Sequence, residues 1–146
     1  MPSTLQSAFL LQTPASHSTF AATDPGVYNY FPTLIAYLKQ YPNYEANFAF
    51  IVRTKEAITV LKWFVLCALE KDCMGPPGAQ LSCSFSNDRF KQYAKCHRYD
   101  QSVINLLLAN MYGYNPKNYV SRFGQQGVEI KRFDERSLTA KDFECN

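Results

Sequence analysis

The sequence predicts one α/β domain in which helices pack on a small mixed sheet. The chain has 146 residues, of which 47% are hydrophobic and 18% charged, and this composition is typical of a folding domain and not of a disordered chain. Short apolar runs alternate with stretches of helical periodicity, an order typical of α/β folds. We expect the domain to span residues 1–133 and the polar residues 134–146 to form a flexible tail.

The first quarter of the chain holds short strand or loop segments followed by a helical stretch. "SAFLLQ" (residues 7–12) and "HSTFAAT" (17–23) are the strand or loop candidates. "VYNYFPTLIAYLKQY" (27–41) is predicted as a helix or a turn and helix, interrupted by proline. Thr23 or Asp24 can cap its start, because a short side-chain oxygen accepts the unpaired N–H groups of a first turn.

A buried strand and a long helix are predicted next. "ANFAFIVR" (46–53) is short, continuous and apolar, which indicates a buried strand. Thr54 is suited to cap the following helix, and "MGPPG" (74–78) must end it. The apolar residues of this helix predict one wide buried face, formed by Ala57, Ile58, Val60, Leu61, Phe64, Val65, Ala68 and Leu69.

The second predicted helix runs from Asp100, as its N-cap, to about Met111. Gly113 and the Asn-Pro pair that follows should end it. Its apolar residues predict a buried face formed by Val103, Ile104, Leu107, Leu108 and Met111. The alternating "GVEIKRF" (127–133) is predicted to be a last strand.

The five cysteines favour disulfides over zinc. There is no C-x-x-C pair, and the spacings fit no common zinc finger or ribbon. Four are the disulfide candidates, Cys67, Cys73, Cys83 and Cys96, and Cys145 is the odd cysteine, whose partner the sequence does not show. One bridge could close the turn between residues 73 and 83, but the connectivity stays open. Two bridges would place the chain in a secretory compartment.

Composition also excludes some function classes. The net charge is +3, and the basic residues are scattered, so an extended nucleic-acid-binding face is not expected. No stretch approaches the roughly 20 apolar residues of a membrane span. The first residues lack the basic region and the apolar core of a signal peptide. If the cysteines are bridged, we therefore expect a targeting segment upstream of this chain, which would then be a fragment.

Polar residues crowd the start of the second helix. His97 and Arg98 precede it, and a helix N-terminus with two cations beside it attracts anions. Asp100 can accept hydrogen bonds from sugar hydroxyls, and Gln101 can both donate and accept. Asn105 lies one turn further on. The alternative is that these side chains only cap the helix, satisfy loop backbone or face solvent.

Asp100 to Asn105 also fit a motif, D-Q-x-x-[IL]-N. In this the chain resembles glycogenin-like and lipopolysaccharide-galactosyltransferase-like retaining enzymes of the GT-A fold. The blocks "KWFVLCALEKDCMGPPGAQLSC" (62–83) and "YAKCHRYDQSVINLLLAN" (93–110) resemble more closely an uncharacterised, nematode-rich family of nucleotide-diphospho-sugar transferases. This resemblance covers most of residues 15–132.

The resemblance implies the C-terminal half of a partial GT-A-like fold, which transfers a sugar from a nucleotide-sugar donor to a glycan or protein acceptor. It implies that Asp100 contacts the donor sugar and that Gln101 lies beside the anomeric carbon. His97 and Arg98 would lie near the diphosphate or the acceptor. Asn105 and, facing the same cleft, His17 complete the expected substrate-binding residues, although His17 is also typical of a loop. The implied location is the Golgi or ER lumen or the cell exterior.

The chain also departs from that family. It has no D-x-D, with which GT-A enzymes hold Mn²⁺, and no downstream H-x-x-G-x-x-K metal histidine. We expect no metal ligand in this chain, and Mn²⁺ or a membrane anchor only if an upstream segment supplies the site or the span. The alternative function is a non-catalytic, disulfide-stabilised α/β binding or interaction module. A Cys-His hydrolase is a weaker alternative, since Cys96 and His97 are adjacent and Cys96 is expected to be bridged.

Overall fold

A computed structural model describes residues 7–128, and it confirms a mixed α/β chain with helices and small sheets. The strands are β1 (Phe9–Leu11), β2 (Pro14–Ser18), β3 (Pro42–Tyr44) and β4 (Ala49–Ile51). The helices are α1 (Ile35–Leu38), α2 (Lys55–Leu69) and α3 (Tyr99–Met111). Three 3-10 turns span Pro25–Asn29, Pro116–Asn118 and Gly124–Gln126. The stretch 27–41 is thus a turn and a short helix, and Asp24 caps it by accepting the Gly26 N–H at 2.8 Å.

The strands form two separate antiparallel pairs within residues 7–128, not one mixed sheet as predicted. β1 pairs with β4, and β2 pairs with β3. The only parallel element of this part of the chain is a single bridge between Leu11 and Val120. The buried strand predicted over 46–53 is shorter in the structure and is not buried: Phe50 is 54% and Ile51 42% exposed, and β4 belongs to a two-stranded sheet.

Helix α3 is the centre of the core. Its residues Val103, Leu106 and Leu108 are fully buried, because α2 packs against one side of it and β3 against another. A first cluster joins α3 to the chain around Val27, Leu38, Cys67 and Cys73. A second cluster joins it to β1, β3 and α2 through Phe9, Leu11, Tyr44 and Val60. Of the predicted apolar face of α3, Val103, Ile104 and Leu108 are buried, Leu107 is half-buried and Met111 is exposed. Leu106 is buried although it was not part of that prediction.

The start of α2 is as predicted, but its apolar face is not. The Thr54 hydroxyl accepts the Ala57 N–H at 3.2 Å and so caps the helix. Of the eight residues predicted to be buried, Ala57 and Val60 are buried and Phe64 is half-buried. The other five are exposed, because α2 contacts α3 along a narrow stripe only. These exposed residues are Ile58, Leu61, Val65, Ala68 and Leu69.

The C-terminal end of α3 follows the predicted signals. Gly113 has φ +63°, and the Tyr114 N–H donates to the Ala109 carbonyl at 2.7 Å, which closes the helix in a Schellman motif. Asn115 then caps the turn that begins at Pro116.

Two disulfides confirm the predicted pair of bridges. Cys67 bonds to Cys73 and Cys83 to Cys96, so the predicted closure of the turn between residues 73 and 83 is wrong. The first bridge fastens the end of α2 to the loop that leaves it, and the second fastens a later loop to the residue before His97. Disulfides of this kind indicate an oxidising, secreted or lumenal environment.

Some predictions fall outside the described residues. The predicted strand 127–133, beyond its first two residues, and the tail 134–146 with Cys145 belong to this group. Within residues 7–128, none of the helices has the length and apolar character that crossing a membrane requires.

Candidate functional site

The start of α3 is held by Ser102 and not by Asp100. The Ser102 hydroxyl accepts the Arg98 N–H at 3.2 Å and donates to the Ala22 carbonyl at 2.9 Å. Asp100 was predicted to be the N-cap, but the N-cap is Arg98, without a side-chain cap, and Asp100 is the second residue of the helix. Among residues 7–128, the exposed Asp100 carboxylate makes only a local hydrogen bond, which it accepts from the Gln101 N–H at 2.8 Å.

A cleft of about 310 Å³ opens beside this helix start, and we name it the polar cleft. It is lined by Ala15, His17, Glu45, Ala46, Asn47, Arg98, Asp100 and Gln101. Four of the six predicted site residues therefore meet in one place, although His17 lies some eighty positions before the others. Sequence reasoning missed Glu45 and Asn47, which follow β3. Their one signal was two polar side chains within an otherwise aromatic and apolar stretch.

His17 is a buried imidazole at the edge of the polar cleft. Its Nδ1 donates to the Ser18 carbonyl at 3.1 Å, and its ring stacks on Phe85 at 4.9 Å between centroids. Burial lowers the pKa of His17 more than the bond to Ser18 raises it, and the charge of Arg98 lowers it further. The ring is therefore neutral at pH 7, and with Nδ1 protonated its Nε2 is a hydrogen-bond acceptor.

His97 lies outside the polar cleft, fully buried behind the helix start. Its Nδ1 accepts the Asp24 N–H at 3.2 Å, and its Nε2 donates to the Met74 carbonyl at 3.0 Å. The two ring nitrogens thus connect the chain before α3 to Asp24 and to Met74. Burial lowers the pKa of His97, which keeps the ring neutral.

Asn105 is also outside the polar cleft, and its side chain fastens α3 to β3. Its Oδ1 accepts the Tyr44 N–H at 3.0 Å, and its Nδ2 donates to the Tyr44 carbonyl at 2.7 Å and to the Gln101 carbonyl at 2.8 Å. Because Glu45 follows Tyr44, these bonds position one wall of the cleft relative to the other.

The polar cleft combines charges of both signs. Arg98 contributes a guanidinium whose Nε is buried without a hydrogen-bond partner in the described part of the chain. Glu45 and Asp100 contribute carboxylates, and Glu45 is fixed by the Asn47 amide at 2.8 Å. Ala46 and Asp100 also line an adjoining apolar cleft of about 260 Å³. The arrangement suits a ligand with several hydroxyl groups, an anionic group and an apolar face.

The metal-ligating residue types do not converge here. Across residues 7–128, no three side chains of histidine, cysteine, aspartate or glutamate come close enough together to hold a metal ion.

We expect stability to fall as the pH drops below about 6.5, the ordinary pKa of histidine. Because the folded-state pKa values of His17 and His97 are lowered, the unfolded chain binds more protons than the folded one below that pH. Each histidine then lowers the free energy of unfolding by up to about 1.4 kcal/mol per pH unit, until the pH reaches the pKa of that histidine in the folded chain. Urea unfolding of wild type and His97→Gln between pH 5 and 8 measures this, and an unchanged slope in the variant would contradict the role of His97.

In comparisons with protein families, curated proteins and solved structures, none matched this chain.

Proposed function

We propose that this chain is the C-terminal, sugar-binding part of a GT-A-like glycosyltransferase of the Golgi or ER lumen or the cell exterior. In this proposal the polar cleft takes the sugar of a nucleotide-sugar donor, which is transferred to a glycan or protein acceptor. One observation carries it: the residues of the D-Q motif open into a polar cleft that also holds His17, Glu45 and Arg98.

The charged residues have separate roles in this proposal. Asp100 and Glu45 accept hydrogen bonds from sugar hydroxyls, since an ionised carboxylate is the strongest acceptor among side chains. Arg98 pairs with a phosphate of the donor, and its planar group can bind two oxygens at once. Its Nε, buried without a partner among the described residues, gains one when the anion binds.

Gln101 and His17 act at the reacting carbon. The bond between the anomeric carbon and the phosphate oxygen breaks, its electron pair leaves with the phosphate, and positive charge develops on the sugar. The dipole of the Gln101 side-chain amide stabilises that charge. The acceptor hydroxyl forms the new bond, and its proton passes to the neutral His17 at Nε2.

Mn²⁺ enters this proposal only through a D-x-D that the sequence lacks. None of the steps above is assigned to a metal. The roles given to these residues concern binding, orientation and proton transfer.

Replacing Asp100 with Asn tests the proposal. We expect at least tenfold weaker binding of the donor and, in a longer protein that carries this segment, roughly 100-fold slower turnover, because the substitution removes a charge aimed at the sugar. Stability should change by less than about 0.5 kcal/mol, because Asn can still accept the Gln101 N–H. Calorimetric titration with UDP-glucose, UDP-galactose, UDP-N-acetylglucosamine and GDP-mannose measures binding.

Glu56→Gln is the matched control, because Glu56 is also an exposed carboxylate at the second position of a helix. It should leave donor binding unchanged. Failure of all four donors to bind, or an equal loss in the control, would contradict the proposal. Donor binding without transfer by the longer protein would favour the non-catalytic binding module.

A further inference from the structure

A second open cleft, of about 490 Å³, lies away from the D-Q motif, and we name it the tyrosine cleft. It forms where α1 and β3 meet the end of α3. Its aromatic walls are Tyr37, Tyr41, Tyr44 and Tyr114, and its rim includes Asn115 and Lys117. Its volume lies within the roughly 300–1,000 Å³ of small-molecule sites.

Contacts hold two of the four rings of the tyrosine cleft, those of Tyr37 and Tyr114. The Tyr114 hydroxyl accepts the Leu34 N–H at 2.8 Å and donates to the Asn110 carboxamide oxygen. Its two hydrogen bonds join α1 to α3, so the hydroxyl cannot turn toward a ligand and the ring is held. Tyr37 stacks on this ring with centroids 5.4 Å apart and planes inclined by 29°. A ligand would thus meet a preformed surface, which lowers the entropic cost of binding.

Two of these rings are available to a ligand. Tyr37 is 47% exposed and Tyr41 is 39% exposed, while Tyr44 is nearly buried and closes the cleft from within. Neighbouring exposed aromatic rings are typical of binding surfaces, because each offers a large rigid contact area at low entropic cost.

Hydrogen-bond donors lie at the rim beside the rings. The Asn115 Oδ1 accepts the Lys117 N–H at 3.2 Å, and its amide nitrogen makes no hydrogen bond recorded within residues 7–128. The exposed Lys117 adds an ammonium group. A ligand that lies on the rings therefore meets an amide and an ammonium, both of which bind oxygen atoms.

We propose that the tyrosine cleft binds a short glycan, with its sugar rings stacked on Tyr37 and Tyr41. A pyranose has an apolar face of C–H groups that packs on the negative face of an aromatic ring, and hydroxyls at its edge that need donors. Proline-rich peptides also dock in aromatic-lined grooves. The amide of Asn115 and the ammonium of Lys117 beside the rings favour the glycan, because its hydroxyls need such partners.

The tyrosine cleft borders the same strand end as the polar cleft. Tyr44 lines the tyrosine cleft, and the next residue, Glu45, lines the polar cleft. Glycan binding itself rests on the tyrosines and needs no reaction there, so it holds or fails independently of donor binding.

Titration of this chain with maltohexaose, cellohexaose and chitohexaose tests the proposal. We expect at least one of these probes to bind, and Tyr37→Ala and Tyr41→Ala each to weaken that binding at least tenfold. Tyr37→Phe should retain it, since the ring is kept. Trp63→Ala, which removes an exposed ring outside both clefts, and Asp100→Asn should leave it unchanged. Circular dichroism of each variant confirms that it is folded.

Three results would overturn the proposal. The first is that wild type binds none of the probes. The second is an equal loss on Trp63→Ala, which would show non-specific adhesion to aromatic side chains. The third is that a proline-rich decapeptide binds in a way that requires Tyr37, while none of the glycans binds in that way. Glycan binding that survives Asp100→Asn supports this site even where the nucleotide sugars fail to bind.

Discussion

We expect replacement of Cys83 and Cys96 by serine to lower the free energy of unfolding by about 3 kcal/mol, since the bridge closes a loop with a sequence separation of 13. Native domains are stable by only 5–15 kcal/mol, so this is a large fraction of the total. Urea denaturation followed by circular dichroism measures it.

The bridge should also matter for the polar cleft. Cys96 is buried next to His97, whose ring bonds to Asp24 and Met74, and Arg98 follows as the N-cap of α3. Loss of the covalent link lets this segment move. We therefore expect the double variant to bind the nucleotide sugars more weakly under conditions where it is still folded.

The matched comparison is the double variant Cys67→Ser with Cys73→Ser. Its bridge has a sequence separation of 6, which predicts a smaller loss of about 2 kcal/mol. It fastens the end of α2 and reaches the start of α3 only through the Met74–His97 hydrogen bond, so binding of the nucleotide sugars should fall less than in the Cys83–Cys96 double variant. Equal effects of the two double variants on binding would show that the Cys83–Cys96 bridge has no particular role in shaping the cleft.

The parts of the fold that could be predicted depend on local signals. The Thr54 cap and the start of α2 follow from a short polar side chain before an apolar periodicity. The end of α3 follows from Gly113, which adopts the positive φ that other residues resist. The exposed side of α2 could not be predicted in this way, because periodicity shows which residues share a face and not whether another element covers it.

The residues that line the polar cleft could be predicted only in part, because some of them are brought together by contacts between distant parts of the chain. Asp100 and Gln101 are neighbours in the sequence, so the motif brought them together. Glu45 reaches the same cleft only because Asn105 holds β3 against α3, and such a contact between distant residues leaves no periodic signal. His97 and Asn105 were predicted to bind substrate, and the structure places both in bonds within the fold. Composition cannot distinguish a polar side chain that serves the fold from one that faces a ligand.

Asn105→Ala should be at least as damaging as loss of the Cys83–Cys96 bridge. We expect a loss of about 3 kcal/mol or more, because the substitution removes three hydrogen bonds, two of them buried, and leaves the Tyr44 N–H, the Tyr44 carbonyl and the Gln101 carbonyl without this partner. Thermal and urea unfolding measure the loss.

Asn105→Asp keeps the volume of the side chain and changes its hydrogen bonds, and Asn47→Ala is a control at an exposed asparagine. Asn105→Asp keeps the acceptor for the Tyr44 N–H but places a charge opposite two carbonyl oxygens, so we expect it to be no better than alanine. Asn47→Ala removes an exposed amide beside the polar cleft and should cost less than about 0.5 kcal/mol. If Asn105→Asp were as stable as wild type, the hydrogen bond from Nδ2 to the Tyr44 carbonyl would not be what holds β3 to α3. The position of Glu45 in the cleft would then need another cause.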